Sequence, residues 1–241
     1  MNIILFDLHE IDSPLQRDDP RVIHVLDVLR RKVGDSTDVG LINGPRGKAV
    51  LKSVDQDEAV FEFVWGELPD PLLPIDLIAG LSRPQTSRKI LQQATSLGVR
   101  RIFFVTTERG EPSYATSKLW TTDEWQRLIR SGVEQAFSTW VPDVQVGVDL
   151  ADAFDALAAT ASKANRICLD NYEATVALWD AVGSADSVTL AVGSERGWTE
   201  EERNQFRKHG FQLAHIGERP LRTETAAIAA IGTTVAKMST S

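Results

Sequence analysis

Two strand–loop–helix units follow one another near the C-terminus, and they constrain the fold more than any other feature of the chain. In the first unit, the apolar run Val188–Val192 leads into a glycine-bearing loop over 193–197 and an acidic helix start. In the second, the apolar run 211–216 leads into the loop 217–222 and a helix of small residues over 225–236. Strands that alternate with helices favour a parallel sheet whose ligands bind at the carboxyl ends of the strands. The pattern therefore predicts an α/β fold with a ligand cradled by the two loops.

The same alternation extends back to about residue 71, and a different pattern precedes it. In the C-terminal part we predict further strands over 75–81, 102–105 and 167–169 and near Val144, and helices over 87–97, 122–137, 152–162 and 174–182. Before it, a small β-rich domain is indicated by one amphipathic helix over 20–31 and strands over 38–42, 49–54 and 59–64. The three prolines of 68–74 prevent a continuous helix or a central strand there. We therefore expect two domains, over residues 1–70 and 71–241.

Charge and composition narrow the class of protein. The net charge of −8 over 241 residues argues against non-specific coating of nucleic acid. Residues 17–52 hold eight Lys or Arg side chains, which fit either a local basic face or an ordinary solvated surface. The single cysteine, Cys168, lies in an apolar run, so we expect a buried structural thiol in a reducing cytoplasm. The apolar runs are strand-sized and the N-terminus lacks a basic n-region, so we expect no membrane span and no signal peptide.

Several common catalytic motifs are absent from the sequence. No G-x-G-x-x-G or P-loop motif occurs, which weighs against dinucleotide oxidoreductases, NTPases and Rossmann-type methyltransferases. The four histidines are scattered and no C-x-x-C or H-E-x-x-H occurs, so we expect no metal site. Ser194 lies in G-S-x-x-G and not in a nucleophile elbow. The chemistry is therefore expected in the backbone-rich loops.

The glycines of the two loops suit close contact between backbone and ligand. Gly193, Gly197 and Gly217 permit close backbone approach and positive φ, although each also fits an ordinary tight turn. Glu195, between the first two, fits equally a polar ligand contact or a solvated loop charge.

Arg222 is the most informative charge in the second loop. It lies directly before a helix start, where a cation opposes the macrodipole at a cost of a few tenths of a kcal/mol. We expect Thr223 or Thr225 to cap this helix and Glu224 to lie in its first turn. An arginine placed against the dipole indicates a ligand more than a contribution to stability.

Segments in order along the chain resemble the RsmE family of ribosomal RNA methyltransferases, within the SPOUT superfamily. The tail Ile-Gly-Glu-Arg-Pro-Leu-Arg-Thr-Glu-Thr-Ala over 216–226 is similar to the family's L-G-x-x-I-L-R-x-E-T-A segment. Gly-Ser-Glu-Arg-Gly over 193–197 resembles its G-P-E-G-G-like loop, and His-Val-Leu-Asp-Val-Leu-Arg over 24–30 its H-x-x-x-V-L-R segment. Glu134 and Gln135 are similar to the start of its E-Q-S-x-R segment. The resemblance covers nearly the whole chain, and the tail is its most specific part.

The resemblance implies a fold, a cofactor and a reaction. The fold class would be α/β, with an N-terminal PUA-like β-barrel that helps to hold RNA. The C-terminal SPOUT α/β domain would carry a deep trefoil knot, an exception to the rule that chains are not knotted. S-adenosyl-L-methionine would bind within the knot, and the reaction would be methyl transfer to N3 of a uridine in 16S rRNA, the small-subunit rRNA. The resemblance thus implies a cytoplasmic homodimeric enzyme that acts on ribosomal RNA, without a membrane or a metal partner.

The matching positions imply the site residues. Arg222 is the expected catalytic residue, because a cation would stabilise the anion left when uridine N3 loses its proton, or would position the base or its phosphate. The expected cofactor-binding residues lie at the end of the strand 167–169, at the ends of the two later strands, and in the segments that follow those two strands: Leu169, Val192, Gly193, Ser194, Glu195, Gly197, Ile216, Gly217, Leu221, Thr223 and Ala226. The expected RNA-binding residues come from the basic segment and the Glu-Gln pair: Arg21, Arg30, Arg31, Lys32, Glu134 and Gln135.

Four positions depart from the family pattern, and the first is Ser96, which stands where the family's helix ends in Glu-Leu-Gly. Ser138 stands where E-Q-S-x-R has its arginine, which removes a contact expected for RNA or for a dimer. Ser194 and Arg196 replace the proline and a glycine of the glycine-rich loop, and Arg196 adds bulk and charge beside the expected cofactor. Two alternatives therefore stay open: a non-catalytic RNA-binding or ribosome-assembly protein on the same fold, and a methyltransferase with a different RNA target.

Overall fold

The chain divides into two compact units. The computed structural model describes residues 2–158 and 164–240. The first unit comprises Met1–Pro71 and Arg130–Val141, and the second Leu72–Ile129 and Pro142–Ser241. The sequence predicts one uninterrupted domain after residue 70, whereas the structure groups the segment 130–141 with the N-terminal residues.

The first unit is built on a curled half-barrel sheet of five strands in the order β1-β3-β4-β5-β2. The strands are β1 Ile4–Phe6, β2 Leu15–Gln16, β3 Ser36–Leu41, β4 Arg46–Val54 and β5 Glu58–Trp65. β1 pairs with β3 in parallel, and the other pairs are antiparallel. Alternate strand residues face a core in which Phe6 packs edge-on against Phe63, with ring centroids 4.9 Å apart. The β-rich domain predicted for this part of the chain is confirmed.

The helix predicted over 20–31 is divided in the structure. The α-helix α1, Pro20–Ile23, begins where the Asp19 carboxylate accepts a hydrogen bond of 2.8 Å from the Arg21 backbone N–H. A π-helical segment, His24–Val28, follows it, and Arg30 ends this segment with a φ of +54°. The predicted apolar face is retained, because Val22 and Val25 are both buried.

Side-chain and backbone contacts attach the segment 130–141 to the first unit. The Ile3 N–H donates to the backbone oxygen of Glu134 over 3.2 Å, and the Arg130 guanidinium donates to the Leu5 carbonyl. The buried Thr139 hydroxyl donates to the Gly44 carbonyl over 2.6 Å. These partners are more than ninety residues away in sequence, so no local pattern could reveal the grouping.

The second unit is built on a seven-stranded, entirely parallel sheet in the order β10-β12-β9-β11-β6-β7-β8. Its strands are β6 Leu73–Gly80, β7 Val99–Val105, β8 Asp143–Val148, β9 Asn165–Leu169, β10 Val176–Ala177, β11 Val188–Val192 and β12 Gln212–His215. All residues of β11 are buried, as expected for a central strand covered on both faces. The α/β class predicted from the alternating pattern is confirmed.

Helices of the second unit pack against this sheet in two groups. The helices that lie wholly in this unit are α2 Pro84–Ser96, α3 Lys118–Thr121, α5 Leu150–Ala158, α6 Leu178–Val182, α7 Glu200–Lys208 and α8 Thr223–Met238. Helix α4, Glu124–Gln135, begins in the second unit and ends in the first. The side chains of α5 and α7 share one apolar cluster, in which Phe154 packs edge-on against Phe206. Helix α8 packs against both α2 and α6, and these three helices contact strands β11, β7 and β9, respectively. Within residues 2–158 and 164–240, no helix has both the length and the apolarity needed to cross a membrane.

Two predicted helices differ from the structure. The helix expected over 174–182 is wrong in its first half, because Val176–Ala177 forms a strand that pairs with β12. The helix expected over 152–162 is present as α5, and its positions 159–162 lie outside the described residues.

The end of β6 makes a close approach to the loop after β11. A Cβ on Gly80 would lie 2.4 Å from the Ser194 backbone nitrogen and 2.9 Å from the Gly193 carbonyl carbon. Real atoms do not approach so closely, so only glycine lets this loop rest on the end of the neighbouring strand.

Gly80→Ala should destabilise the protein by about 1–3 kcal/mol, because the methyl group meets backbone atoms that cannot rotate away. Gly232→Ala in α8 is the matched control, since its Cβ would meet nothing within 4 Å. This control should stabilise the protein by up to about 1 kcal/mol through helix propensity. Chemical denaturation measures both, and equal effects would contradict the close approach.

Candidate functional site

A cavity lies at the carboxyl ends of β9, β11 and β12. The loops that follow these three parallel strands form its walls, as expected for ligand sites in parallel sheets. The structure brings all eleven residues expected to bind the cofactor to this cavity: Leu169, Val192, Gly193, Ser194, Glu195, Gly197, Ile216, Gly217, Leu221, Thr223 and Ala226. Eight further residues line it: Asp170, Asn171, Tyr172, Arg196, Trp198, His215, Arg219 and Pro220.

Glycines give the cavity a wall of backbone. Gly197 and Gly217 adopt φ values of +65° and +118°, a region that residues with a Cβ rarely enter. Gly193 has no such φ, but a Cβ there would lie 3.0 Å from the Gly197 Cα. The Gly197 N–H donates to the Ser194 carbonyl over 2.9 Å and closes a tight turn. Backbone groups of this loop are therefore open to a ligand at close range.

The loop after β9 was not found by sequence reasoning. Its first residue, Asp170, is buried and accepts hydrogen bonds from the backbone N–H groups of Tyr172 (2.8 Å) and Glu173 (2.7 Å). This Asx turn holds the backbone of the loop in place beside the cavity. The signal that could have found it is position, because Asp170 comes directly after a predicted strand, where parallel sheets place their ligand-binding residues.

Arg203 of α7 links the loop after β9 to the loop after β11. Its guanidinium donates to the Trp198 carbonyl over 2.8 Å and to the Glu173 carboxylate over 2.7 Å. The same group lies 3.4 Å from the Asp170 carboxylate, and the two side chains are only 12% and 2% exposed. Since Trp198 follows β11 and Asp170 follows β9, one side chain sets the distance between two walls of the cavity. Sequence reasoning missed Arg203, because no local pattern points to it.

Arg222 occupies the N-cap position of α8. The expectation that Thr223 or Thr225 caps this helix is wrong, because α8 begins at Thr223 and no side chain makes a cap hydrogen bond. Arg222 lines a second cavity beside the first, and Glu195, Leu221 and Thr223 line both. The expected cation therefore lies at the border of the cofactor cavity and not inside it.

Two carboxylates of this region have defined partners. Glu195 accepts a hydrogen bond of 3.0 Å from the Arg83 backbone N–H at the start of α2, so it is more than a solvated loop charge. The pKa of Glu224 lies below its ordinary value, because its own backbone N–H and then Lys89 donate hydrogen bonds to its carboxylate. The Glu224 carboxylate thus remains negative at neutral pH.

The six residues expected to bind RNA all lie in the first unit, where their environments differ. Arg21 is held between the carboxylates of Glu10 and Asp19, both at 2.7 Å. Glu134 is half-buried, and burial raises the pKa of its carboxyl group. The other four residues are exposed: Arg30, Arg31, Lys32 and Gln135.

Three further expectations concern single positions. Cys168 is fully buried, and burial raises the pKa of its thiol well above the ordinary value, which suits a structural role. Arg196 is exposed, and its guanidinium donates to the Arg109 carbonyl over 3.5 Å. The Ser138 hydroxyl accepts a hydrogen bond of 3.3 Å from the Trp140 N–H. Among the described residues, no group of three or more His, Cys, Asp or Glu side chains could hold a metal ion.

Comparisons with known proteins decide the family. A sequence model of the RNA methyltransferase domain matches residues 69–235. The ribosomal RNA small subunit methyltransferase E of Treponema pallidum is 35% identical over 98% of this chain and 91% of its own length. The chain belongs to the RsmE family.

Other members support this assignment. The ribosomal RNA small subunit methyltransferase E 1 of Borreliella burgdorferi is 25% identical over 99% of both chains. The crystal structure of the Neisseria gonorrhoeae RsmE protein bound to S-adenosyl methionine superposes with a TM-score of 0.78. It is 29% identical and covers 97% of both chains. The two-part architecture of the present structure is thus the architecture of the RsmE family.

Replacing Arg203 tests how this RsmE protein holds its cavity. Arg203→Met removes the hydrogen bonds but keeps most of the length, so it should weaken S-adenosylmethionine binding at least tenfold by releasing the two loops. It should also cost about 3 kcal/mol of stability, because the Asp170 carboxylate stays buried without its cation. Calorimetric titration and denaturation measure the two effects.

Arg207→Met on the same helix is the control, since Arg207 contacts Glu173 and Asn204 but neither Asp170 nor Trp198. It should leave the affinity nearly unchanged. Unaltered affinity in Arg203→Met would show that the cavity does not depend on this link.

Proposed function

We propose that the protein is an S-adenosylmethionine-dependent methyltransferase that acts on N3 of a uridine in small-subunit ribosomal RNA. One observation carries the proposal: every residue that the family motifs assign to the cofactor lines a single cavity at the carboxyl edge of the parallel sheet. The RsmE relatives of similar length and the cofactor-bound structure of one of them support it.

The residues of the cavity fit S-adenosylmethionine. Leu169, Val192 and Ile216 offer apolar contacts beside open backbone groups, which suits a purine ring held by backbone hydrogen bonds. Asp170 and Glu195 add negative charge near a cationic sulfonium.

The chain's own residues would supply orientation and electrostatics. When bound, the cofactor provides a methyl group on a positively charged sulfur, and the transfer is an in-line displacement. The C–S bond breaks as the bond to uridine N3 forms, and the N3 proton leaves to the solvent or to a base. Because the two groups must be aligned, the rigid loops supply much of the rate. The Arg222 guanidinium would stabilise the negative charge that develops on the uracil ring.

The remaining features of the proposal rest on the family resemblance. The first unit would be a PUA-like domain that helps to hold the RNA, and the second a SPOUT domain with a trefoil knot. The protein would act in the cytoplasm as a homodimer. The exposed basic run Arg30, Arg31 and Lys32 supports an RNA-facing side on the first unit.

Deletion of the gene tests the reaction. N3-methyluridine should disappear from the small-subunit rRNA, as measured by mass spectrometry of nucleosides, and the wild-type gene should restore it. Modification that persists without another responsible enzyme would refute the proposed reaction.

Arg222→Ala should lower turnover about 100-fold or more, because an electrostatic contact to the developing charge is lost. S-adenosylmethionine affinity should change little, since Arg222 borders the cofactor cavity and does not line it. Arg222→Lys should recover part of the activity. Single-turnover methylation of rRNA measures the rates, and wild-type turnover in Arg222→Ala would assign the arginine to structure alone.

The departure at Arg196 favours a second candidate, a non-catalytic RNA-binding protein on the same fold. The Arg196 side chain adds a positive charge to the cofactor loop, and its guanidinium donates a hydrogen bond to the backbone carbonyl of Arg109. Calorimetry separates the two functions: saturable S-adenosylmethionine binding supports the enzyme, whereas retained rRNA binding without it supports the second candidate.

A further inference from the structure

An exposed aromatic side chain, Tyr172, belongs to the wall of the cofactor cavity. It lies in the loop after β9 and lines the cavity, although the residue is 77% exposed. Single exposed apolar residues are ordinary on a protein surface and need no explanation by themselves. An aromatic ring in the wall of a ligand cavity is different, because ligand sites use such rings to cover bound planar groups.

The backbone that carries Tyr172 is held without any help from its side chain. The Tyr172 N–H donates to the Asp170 carboxylate over 2.8 Å, and the N–H of the next residue donates to the same carboxylate oxygen over 2.7 Å. The carboxylate of that next residue, Glu173, accepts a hydrogen bond of 2.7 Å from Arg203. The loop therefore presents the ring from a fixed position.

Two contacts place the ring between the loops after β9 and β11. The Arg203 guanidinium lies over the ring, 5.9 Å from its centroid, as in a cation–π contact. A Cβ on Gly197 would lie 3.8 Å from the Tyr172 Cε2 atom, so the edge of the ring reaches the glycine-bearing loop after β11. The high exposure of Tyr172 shows that these contacts leave most of its surface uncovered.

The proposed reaction brings two planar rings to this region, the adenine of the cofactor and the uracil of the RNA. Tyr172 lines the cofactor cavity and is not among the described residues that line the second cavity. Arg222, the cation proposed to face the uracil, lines the second cavity. Tyr172 is thus on the side of the cofactor. Leu169, three residues earlier in the chain, adds apolar surface to the same cavity.

We propose that Tyr172 stacks against the adenine ring of S-adenosylmethionine and shields it from solvent. Aromatic side chains stack on nucleobases through their flat faces, and the contact requires a planar ring on both sides. The inference rests on the proposed function, and it adds a cofactor-binding residue that the family motifs do not assign. Tyr172 holds the nucleoside half of the cofactor and takes no part in the transfer of the methyl group.

Loss of the ring tests the contact. Tyr172→Ala should weaken S-adenosylmethionine binding roughly tenfold, whereas Tyr172→Phe, which keeps an aromatic face, should bind nearly as the wild type does. Calorimetric titration measures both affinities. Because the side chain is largely exposed, Tyr172→Ala should unfold at nearly the same denaturant concentration as the wild type. Wild-type affinity in Tyr172→Ala would overturn the inference.

Tyr114→Ala is the matched control. Tyr114 is the second of the two tyrosines in the chain, and it is not among the described residues that line the cofactor cavity. Its replacement should leave the affinity for S-adenosylmethionine unchanged. In methylation assays, Tyr172→Ala should raise the KM for the cofactor and leave kcat nearly unchanged, because stacking holds the ground state and the transition state equally. A fall in kcat alone would contradict the assigned role.

Fluorine NMR identifies the part of the cofactor that meets the ring. Protein labelled with 3-fluorotyrosine should give two resonances, one for each tyrosine, and Tyr172→Phe assigns them. Saturating S-adenosylmethionine should shift the Tyr172 resonance and leave that of Tyr114 in place. S-methylmethionine, which has a sulfonium and the amino-acid end but no adenosine, should shift neither.

Three results of this experiment would overturn the inference. They are a Tyr172 resonance that stays in place with bound S-adenosylmethionine, one that S-methylmethionine shifts as far as the cofactor does, and one that shifts only when the rRNA segment is added. The last result would assign the ring to a base of the RNA.

The proposed function and the stacking contact fail in different ways. Wild-type protein that binds the cofactor and methylates rRNA, with a Tyr172 resonance that does not respond, removes the stacking contact alone. Cofactor binding with the expected shift, but without N3-methyluridine as product, removes the proposed reaction alone. Wild-type protein that does not bind S-adenosylmethionine removes both.

Discussion

The parallel pairing of β9 with β11 and with β12 is the constraint on which the site depends. Because the three strands run in the same direction side by side, their carboxyl ends release three loops at one edge of the sheet. On the other side of β11, β6 ends at Gly80, whose missing side chain lets the loop after β11 settle on the strand. Arg203 then fixes the loops after β9 and β11 to each other. The order of the strands therefore creates the cavity, and the contacts at Gly80 and Arg203 hold its loops in place.

Helices α2 and α8 both begin without a side-chain cap hydrogen bond. Capping side chains such as Ser or Asp would stabilise helices α2 and α8, yet both begin after an arginine. Helix α7, which does not open into the second cavity, has a complete capping box between Thr199 and Glu202. The contrast between α8 and α7 fits the proposed role of Arg222, a cation that would stabilise the negative charge developing on the uracil ring.

Local pattern was sufficient for most of the longer strands and for the two glycine-bearing loops. It did not predict the short strands β1, β2 and β10 or the contacts between strands. The strand Val188–Val192 has the predicted bounds, because a short apolar run after a turn has few alternatives to a buried strand. The motif residues gather at one cavity because strand order, not local sequence, aligns them. Arg203 and Asp170 were missed for the same reason, since their contact depends on β9 lying beside β11. Pairing with β12 also overrode the helical pattern at Val176–Ala177.

A crystal structure of the protein with S-adenosylmethionine would show directly where the cofactor binds. We expect ligand density between the loops that follow β9, β11 and β12, in contact with the backbone of 193–197 and 216–221, while Arg203 keeps its contacts to both neighbouring loops. Density at another edge of the sheet, or no density at saturating ligand, would contradict the assignment of this cavity to the cofactor.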